Sequence, residues 1–338
     1  MSAPRVGIFG YGLAGRTVHS QLLKGAGFEI AGICTTNPER VNFARQDFPD
    51  ASVVRDIPSL LNLGLDLVVV ASSNLAHKEQ AIAALRQMIP TVVDKPLAIN
   101  LRDTEEILKV SEDEGTPLTV FFNRRWDSDT LTAKRVIGEG TLGKIFRLDA
   151  RFERFRPLGN ATSWREANSP EEGGGKLLDL APHLLSIAYE LFGPADLIAA
   201  SVRSIRGLSD DDSFLVLRHE SGVDSYLSVC EVMGSTGPRI RMTGEYGSLV
   251  IDQLDNQESL LRAGKFPING KWREDTRTPA WIIRGDEREQ IDAEPGQYGE
   301  FYRQVRRSLE EGAPMPVSPT DAHWVAQVIE RAREISFR

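Results

Sequence analysis

Cysteine is nearly absent from the chain: Cys34 and Cys230 are the only two in 338 residues. They stand far apart, which excludes a disulfide scaffold and any Cys-x-x-Cys metal or redox spacing. Long apolar runs are missing too. Stretches such as Leu67–Ala71 fall far short of the ~18 residues of a membrane-spanning helix. There is no basic excess. The chain has 40 Lys and Arg against 48 Asp and Glu, a net charge of −8, which argues against nucleic acid as a partner because phosphate binding needs a basic surface. Histidines are few: His19, His77, His183, His219 and His323 show no H-E-x-x-H or clustered Cys/His spacing, so no metal is expected. At the amino end, Arg5 is followed at once by a short apolar run and glycines. This is not the long apolar core and small-residue cleavage site of a secretory signal, so a reduced, cytoplasmic protein is expected.

What is present is ordinary for a globular chain, 41% hydrophobic and 26% charged. At ~150 residues per domain the length suggests two domains. Strand and helix signals alternate through the first third. Arg5–Phe9, Phe28–Cys34, Asp66–Ala71, Thr91–Val93 and 117–122 read as strands. Between them Leu13–Lys24, Leu75–Met88 and 101–114 have helical spacing. This alternation predicts an α/β Rossmann domain over residues 1–123, a doubly wound parallel sheet. After that the signals change. Helices are expected over 127–137 and 176–192. Strand-like runs are expected over 144–155, 197–205, 213–219, 224–232, 239–243 and 248–251. Residues 124–338 are therefore expected to form an α+β domain with a mostly antiparallel open sheet. Two more helices follow, near 298–311 and 320–335, and the last of them can pack back on the first domain. Apolar residues such as Leu215, Val216, Leu217, Tyr226, Leu227 and Val229 need cover on one sheet face. A two-fold partner would supply it, giving a homodimer or a dimer of dimers; helices of the same chain are the alternative.

Gly10-Tyr11-Gly12-Leu13-Ala14-Gly15 fits G-x-G-x-x-G between an apolar strand and an amphipathic helix, the context in which the pattern is informative. Gly10 allows a tight turn, Gly12 lets backbone N–H groups approach a pyrophosphate, and Gly15 permits close helix–strand packing. The end of the second strand offers Thr35, Thr36 and Asn37, with Arg40 one turn on, and no carboxylate to repel a 2′-phosphate. This favours NADP over NAD. Asn37 before Pro38 is also a good helix N-cap, and both roles can hold at once.

Three further motifs complete a pattern: Ala71-Ser72-Ser73-Asn74-Leu75-Ala76-His77, Val93-Asp94-Lys95-Pro96, and Gly173-Gly174-Gly175-Lys176-Leu177-Leu178-Asp179-Leu180-Ala181-Pro182-His183. With the glycine loop, they resemble the Gfo/Idh/MocA family of NAD(P)-dependent sugar and polyol oxidoreductases over nearly the whole chain. Asn123-Arg124-Arg125-Trp126-Asp127, Trp164-Arg165-Glu166 and Leu261-Arg262-Ala263-Gly264-Lys265 are similar to the NADP-dependent scyllo-inositol dehydrogenase branch. Two departures stand out. Asp94 replaces the family's usual Glu before Lys-Pro, and Ser186 stands near the place of a second Asp. The resemblance implies that Ser72, Asn74, His77 and Asp94 line the cofactor and that Trp164 and Arg165 clamp it. The plainer readings are helix cap and first turn for Asn74 and His77, a small satellite core for Trp164, and surface charges for Arg124 and Arg125. Asn123, ending the last Rossmann strand, can reach the nicotinamide carboxamide or the substrate. Tyr298 is a further candidate.

Oxidising a secondary alcohol needs a base for the hydroxyl proton and a fixed carbon from which hydride leaves. Asp179 and His183 are i and i+4 on a helix and point the same way. His183 is expected as acid/base, Lys95 as the group that polarises the oxygen, and Asp179 as orienter and hydroxyl acceptor. The resemblance implies the same three positions and leaves open whether Lys95 or His183 transfers the proton. The substrate expected is a cyclic polyol, inosose or sugar. A non-catalytic dinucleotide and sugar sensor is the competing class, and a hydrolase using internal oxidation and re-reduction a third.

Overall fold

The chain is described from a computed structural model over residues 3–207 and 209–336. Its contacts divide it into two compact units. The first holds residues up to Phe121 together with Asn256–Glu274 and Gln297–His323. The second holds Phe122–Asp255, Asp275–Gly296 and the residues from Trp324 on. The sequence reading places everything after residue 123 in one domain, whereas two later stretches cluster with the first unit.

In the first unit, strands β1 (Arg5–Phe9), β2 (Glu29–Cys34), β3 (Ser52–Val54), β4 (Leu67–Val70), β5 (Thr91–Asp94) and β6 (Leu118–Phe121) form one parallel sheet in the order β3-β2-β1-β4-β5-β6. The strand β4, LVVV, is buried along its whole length, as expected of a strand covered on both faces. Register sets Phe9 level with Cys34 and Val70, and Asp94 level with Phe121, so the carboxyl ends of the central strands align. Ligands bind beyond that edge in open α/β sheets. Three of the connecting helices start on side-chain caps. Asn37, Asp56 and Asn100 accept the N–H groups of Arg40, Ser59 and Asp103 at 3.1, 2.8 and 2.8 Å, so Asn37 does serve as a cap. The helix Gly299–Glu311 supplies Phe301 and Tyr302 to the core. There Phe121 meets Phe301 edge-on with ring centroids 4.8 Å apart, and His19 lies 4.4 Å from Phe121.

The second unit is built on β7 (Ile145–Glu153), β8 (Ala195–Arg203), β9 (Asp212–His219), β10 (Asp224–Cys230), β11 (Ile240–Gly244), β12 (Gly247–Ile251), β13 (Ala280–Arg284) and β14 (Glu287–Ile291). The sheet runs β14-β13-β12-β11-β7-β10-β9-β8. Only the β7–β10 pairing is parallel. One face is covered from within the chain. Leu227 pairs with Leu215 and Ala150, and Val229 with Phe152, and the helix Lys176–Phe192 packs on this buried row. The other face is exposed at Ile198 and Phe214. There Asp149 is buried under Arg147, Arg151 and Arg241, at 2.8, 3.1 and 3.0 Å. No described helix is long and apolar enough to cross a membrane.

Candidate active site

The glycine loop leaves β1 at the edge where ligands bind. Gly10 has φ +85°, and a Cβ there would sit 2.6 Å from the Ser72 Cα, so no other residue fits the turn. A Cβ on Gly15 would strike the carbonyl of Gly10. Gly12 differs: a Cβ there would meet only the Arg40 guanidinium, 3.6 Å away. The loop is thus closed beneath and open above, and the residues present fit the pyrophosphate of a dinucleotide. Leu13 is exposed beside it, and Ala14–His19 form a π-helical turn that opens the following helix. The Tyr11 side chain does not face this opening. It is buried, its hydroxyl donates to Asp47 at 3.0 Å, and burial pushes the phenol above its ordinary range, with Asp47 adding to the effect. Arg16 donates to the same carboxylate at 2.6 Å, which ties the glycine-loop helix to the helix Pro38–Asp47.

At the end of β2, Thr35 is buried, with its N–H on the Val54 carbonyl at 3.0 Å, whereas Thr36, Asn37 and Arg40 are exposed. After β4, Ser72 donates to Gln80 at 2.7 Å and Asn74 opens a 3₁₀ turn. His77 turns inward. Its ring is 1% exposed and Nδ1 lies 2.9 Å from the Pro96 carbonyl, so Nδ1 carries the proton. Burial lowers the His77 pKa against the opposing pull of Asp94, and the ring stays neutral near pH 7. It therefore braces the Asp94-Lys95-Pro96 segment from behind, a role the sequence did not suggest.

Asp94 ends β5 at the same sheet edge, Lys95 follows it directly, and the Lys95–Pro96 bond is cis. Asp94 accepts the Lys95 N–H at 2.8 Å through one oxygen, and its other oxygen lies 3.7 Å from His19 Nε2. His19 is fully buried, and its Nδ1 is 2.6 Å from the Tyr302 hydroxyl. Burial raises the Tyr302 pKa well above the phenol range, so the tyrosine donates, Nδ1 accepts, and Nε2 presents its hydrogen to Asp94. Burial pushes the Asp94 carboxyl up, but His19 and Lys95 outweigh it and hold it below the usual carboxylate range. The line Tyr302–His19–Asp94 is invisible in sequence because Tyr302 stands 283 positions from His19 and no local spacing links them to Asp94. Tyr298 is 1% exposed, and its N–H donates to the buried Gln257 at 2.7 Å, which the Trp272 indole also meets at 2.8 Å.

The second unit holds Asp179 and His183 on one face of the helix Lys176–Phe192. Gly175, at φ +93°, precedes the helix, and a Cβ there would strike Asp210. Asp210 serves as the distant cap, accepting the Leu177 N–H at 2.6 Å. The glycine run thus lets a neighbouring strand connection pass close by. His183 is 6% exposed, and its ring lies 5.8 Å from Phe152. Asp179 stands between two cations: Arg165 Nε is 3.5 Å from Oδ1, and Lys176 Nζ is 3.5 Å from Oδ2. Arg165 also lies over the Trp164 ring, 4.4 Å from its centroid. The pair the sequence read as a cofactor clamp is thus joined to Asp179. Asn123 opens a 3₁₀ turn, buried like its neighbours. Arg124 and Arg125 are not surface charges. Arg125 donates to Ser186 at 2.7 Å and Glu190 at 2.9 Å, so a glutamate one turn beyond Ser186 provides the carboxylate.

A loop that fits a dinucleotide, a six-stranded 3-2-1-4-5-6 sheet and a second unit with a polar helix face define a nucleotide-dependent oxidoreductase. Residues 4–122 match the oxidoreductase family with the NAD-binding Rossmann fold, and residues 130–250 match the GFO/IDH/MocA C-terminal domain. The chain belongs to the Gfo/Idh/MocA family. It is 32% identical to the scyllo-inositol 2-dehydrogenase (NADP(+)) IolW of Bacillus subtilis, over 98% of this chain and 93% of that one. It is 34% identical to the uncharacterized oxidoreductase YdgJ of Escherichia coli, over 96% and 94%. Among solved structures, yvaA of Bacillus subtilis superposes with a TM-score of 0.88 at 30% identity, covering 99% of this chain and 97% of that one.

Proposed function

We propose that the protein is an NADP-dependent dehydrogenase or reductase acting on a secondary alcohol or ketone of a cyclic polyol or sugar, of the scyllo-inositol and inosose kind. The observation that carries this reading is the Asp179–His183 pair on one helix face, with the carboxylate flanked by two cations. The similarity to an inositol dehydrogenase along the whole chain supports the substrate class. Exposed Thr36 and Arg40, with Arg40 beside Gly12 and no carboxylate at this strand end, support NADP.

When bound, the nicotinamide supplies the hydride acceptor for oxidation and the donor for the reverse reaction. His183 takes the hydroxyl proton during oxidation and returns it during reduction. Lys95 donates a hydrogen bond to the reacting oxygen and stabilises its developing negative charge. Asp179 accepts a neighbouring hydroxyl and fixes the ring. A second copy of the chain is proposed on the exposed sheet face carrying Ile198 and Phe214.

The test is absorbance at the reduced-nicotinamide band with NADP or NAD and a panel of scyllo-inositol, myo-inositol, inososes and aldoses. Turnover with NADP is expected, falling ~10²–10⁴-fold in His183→Ala and Lys95→Ala. Tight cofactor binding with no turnover on any member of the panel would count against the enzyme and favour a sensor.

A further inference from the structure

Lys176 is the first residue of its helix and only 6% of its side chain is exposed. A helix amino end disfavours a cation, and burying an ammonium is costly unless carboxylates surround it. Three do. Nζ lies 3.5 Å from Asp179, 3.6 Å from Glu166 and 3.9 Å from Glu231. Glu231 and Glu166 have cations of their own. Arg154 and Arg156 lie 3.4 and 3.8 Å from Glu231, and Arg206 lies 3.2 Å from Glu166. Burial pushes the Glu166 carboxyl up, yet the Asn160 N–H, Lys176 and Arg206 hold it below the carboxylate range. Asp179 has Arg165 on one oxygen and Lys176 on the other, both at 3.5 Å, longer than a tight hydrogen bond. The Arg165 side chain is 46% exposed, whereas Lys176 is walled in, so Lys176 is the fixed member of the pair.

We infer that Lys176 is a positioning residue for the proposed reaction: it anchors the Asp179 carboxylate in its charged form so that this carboxylate accepts a substrate hydroxyl. The inference rests on the reading of Asp179 as a substrate ligand. Lys176 itself touches neither substrate nor cofactor, and it acts through a carboxylate one helical turn from His183.

The experiment compares the parent, Lys176→Met, Lys176→Arg and Asp179→Asn in NADP-dependent oxidation of scyllo-inositol across pH. NADP affinity, measured by fluorescence quenching, serves as the folding control. An opposite charge at this distance lowers an aspartate pKa by roughly one unit or more. Lys176→Met is therefore expected to move the acid limb of kcat/KM upward by about one pH unit. KM for the polyol should rise about tenfold, NADP affinity should stay unchanged, and Lys176→Arg should restore most of the loss. The double variant Lys176→Met/Glu231→Gln removes one negative charge together with the positive one, so the buried cluster keeps its net charge, and is used if the single variant does not fold. Carbon-13 NMR of labelled aspartates, with Asp179→Asn for assignment, needs no turnover and should show the same upward shift of the Asp179 midpoint. An unchanged Asp179 titration and an unchanged pH profile in Lys176→Met would overturn the inference, provided Asp179→Asn is impaired. If Asp179→Asn itself keeps the parent KM, the reading of the site fails instead.

Discussion

Asp94 shows how a shorter side chain is accommodated. Its reach is one methylene less than the glutamate usual in the family, and both oxygens find partners within the first unit: the Lys95 N–H and the His19 ring. Tyr302→Phe leaves His19 Nδ1 buried without its donor. It is expected to cost about 1–3 kcal/mol in chemical denaturation, the usual penalty of an unsatisfied buried group. The Asp94 pKa is depressed in the folded state, so its contribution is present above the unfolded pKa of ~3.9 and is lost as pH falls through the lower folded value. Asp94→Asn should flatten the acid limb of a Tm-against-pH curve below about pH 4. His77 has the opposite charge logic. Its folded pKa is lowered by burial, so the unfolded chain takes up a proton first as pH drops through ~6.5. Stability should therefore fall as pH drops below about 6.5, and His77→Gln should shrink that fall; an unchanged slope would sink the assignment. Arg40→Ala should raise KM for NADP by about tenfold or more and leave NAD little affected, the loss of one charge-assisted hydrogen bond.

Among the elements, those whose residues carry their own pattern were legible. The buried strand LVVV, the alternation of strands and helices, the glycine loop and the helix Lys176–Phe192 could each be read from local spacing. Strands β13 and β14 could not. In β14 the sequence EREQI is exposed at four of five positions, so an edge strand without an apolar face has no period to detect. The two arginines after Asn123 were misjudged for a related reason. Ser186 and Glu190, the partners of Arg125, lie on another helix, and only the fold shows that its charge is matched indoors, while Arg124 is buried beside Asp127 at 3.4 Å. The site was half legible in the same sense. Asp179 and His183 follow from i, i+4 spacing, while the cap that starts their helix comes from Asp210, 33 residues on. Asp210→Ala should lower stability by about 1 kcal/mol, as loss of an N-cap does, measured by urea denaturation. It should also raise the polyol KM, since the first turn carries Lys176 and Asp179.

At the scale of the whole molecule, the second unit presents an exposed sheet face with Ile198 and Phe214 on its surface, around a carboxylate ringed by arginines. If a second copy covers it, Ile198→Glu combined with Phe214→Glu should convert the assembly to single chains in sedimentation analysis and leave NADP affinity intact. An unaltered sedimentation profile would remove this face from consideration. The first unit has a different consequence, one of timing. Its last strand carries Thr119, whose hydroxyl is bonded to both the carbonyl and the N–H of Val317, at 2.9 and 3.2 Å. Phe121 on the same strand leans on Phe301 and Tyr302. A ribosome making this chain releases all six strands of the sheet long before it releases the residues that close their core. The nascent Rossmann half must therefore wait with an apolar flank uncovered until Phe301, Tyr302 and Val317 have also emerged.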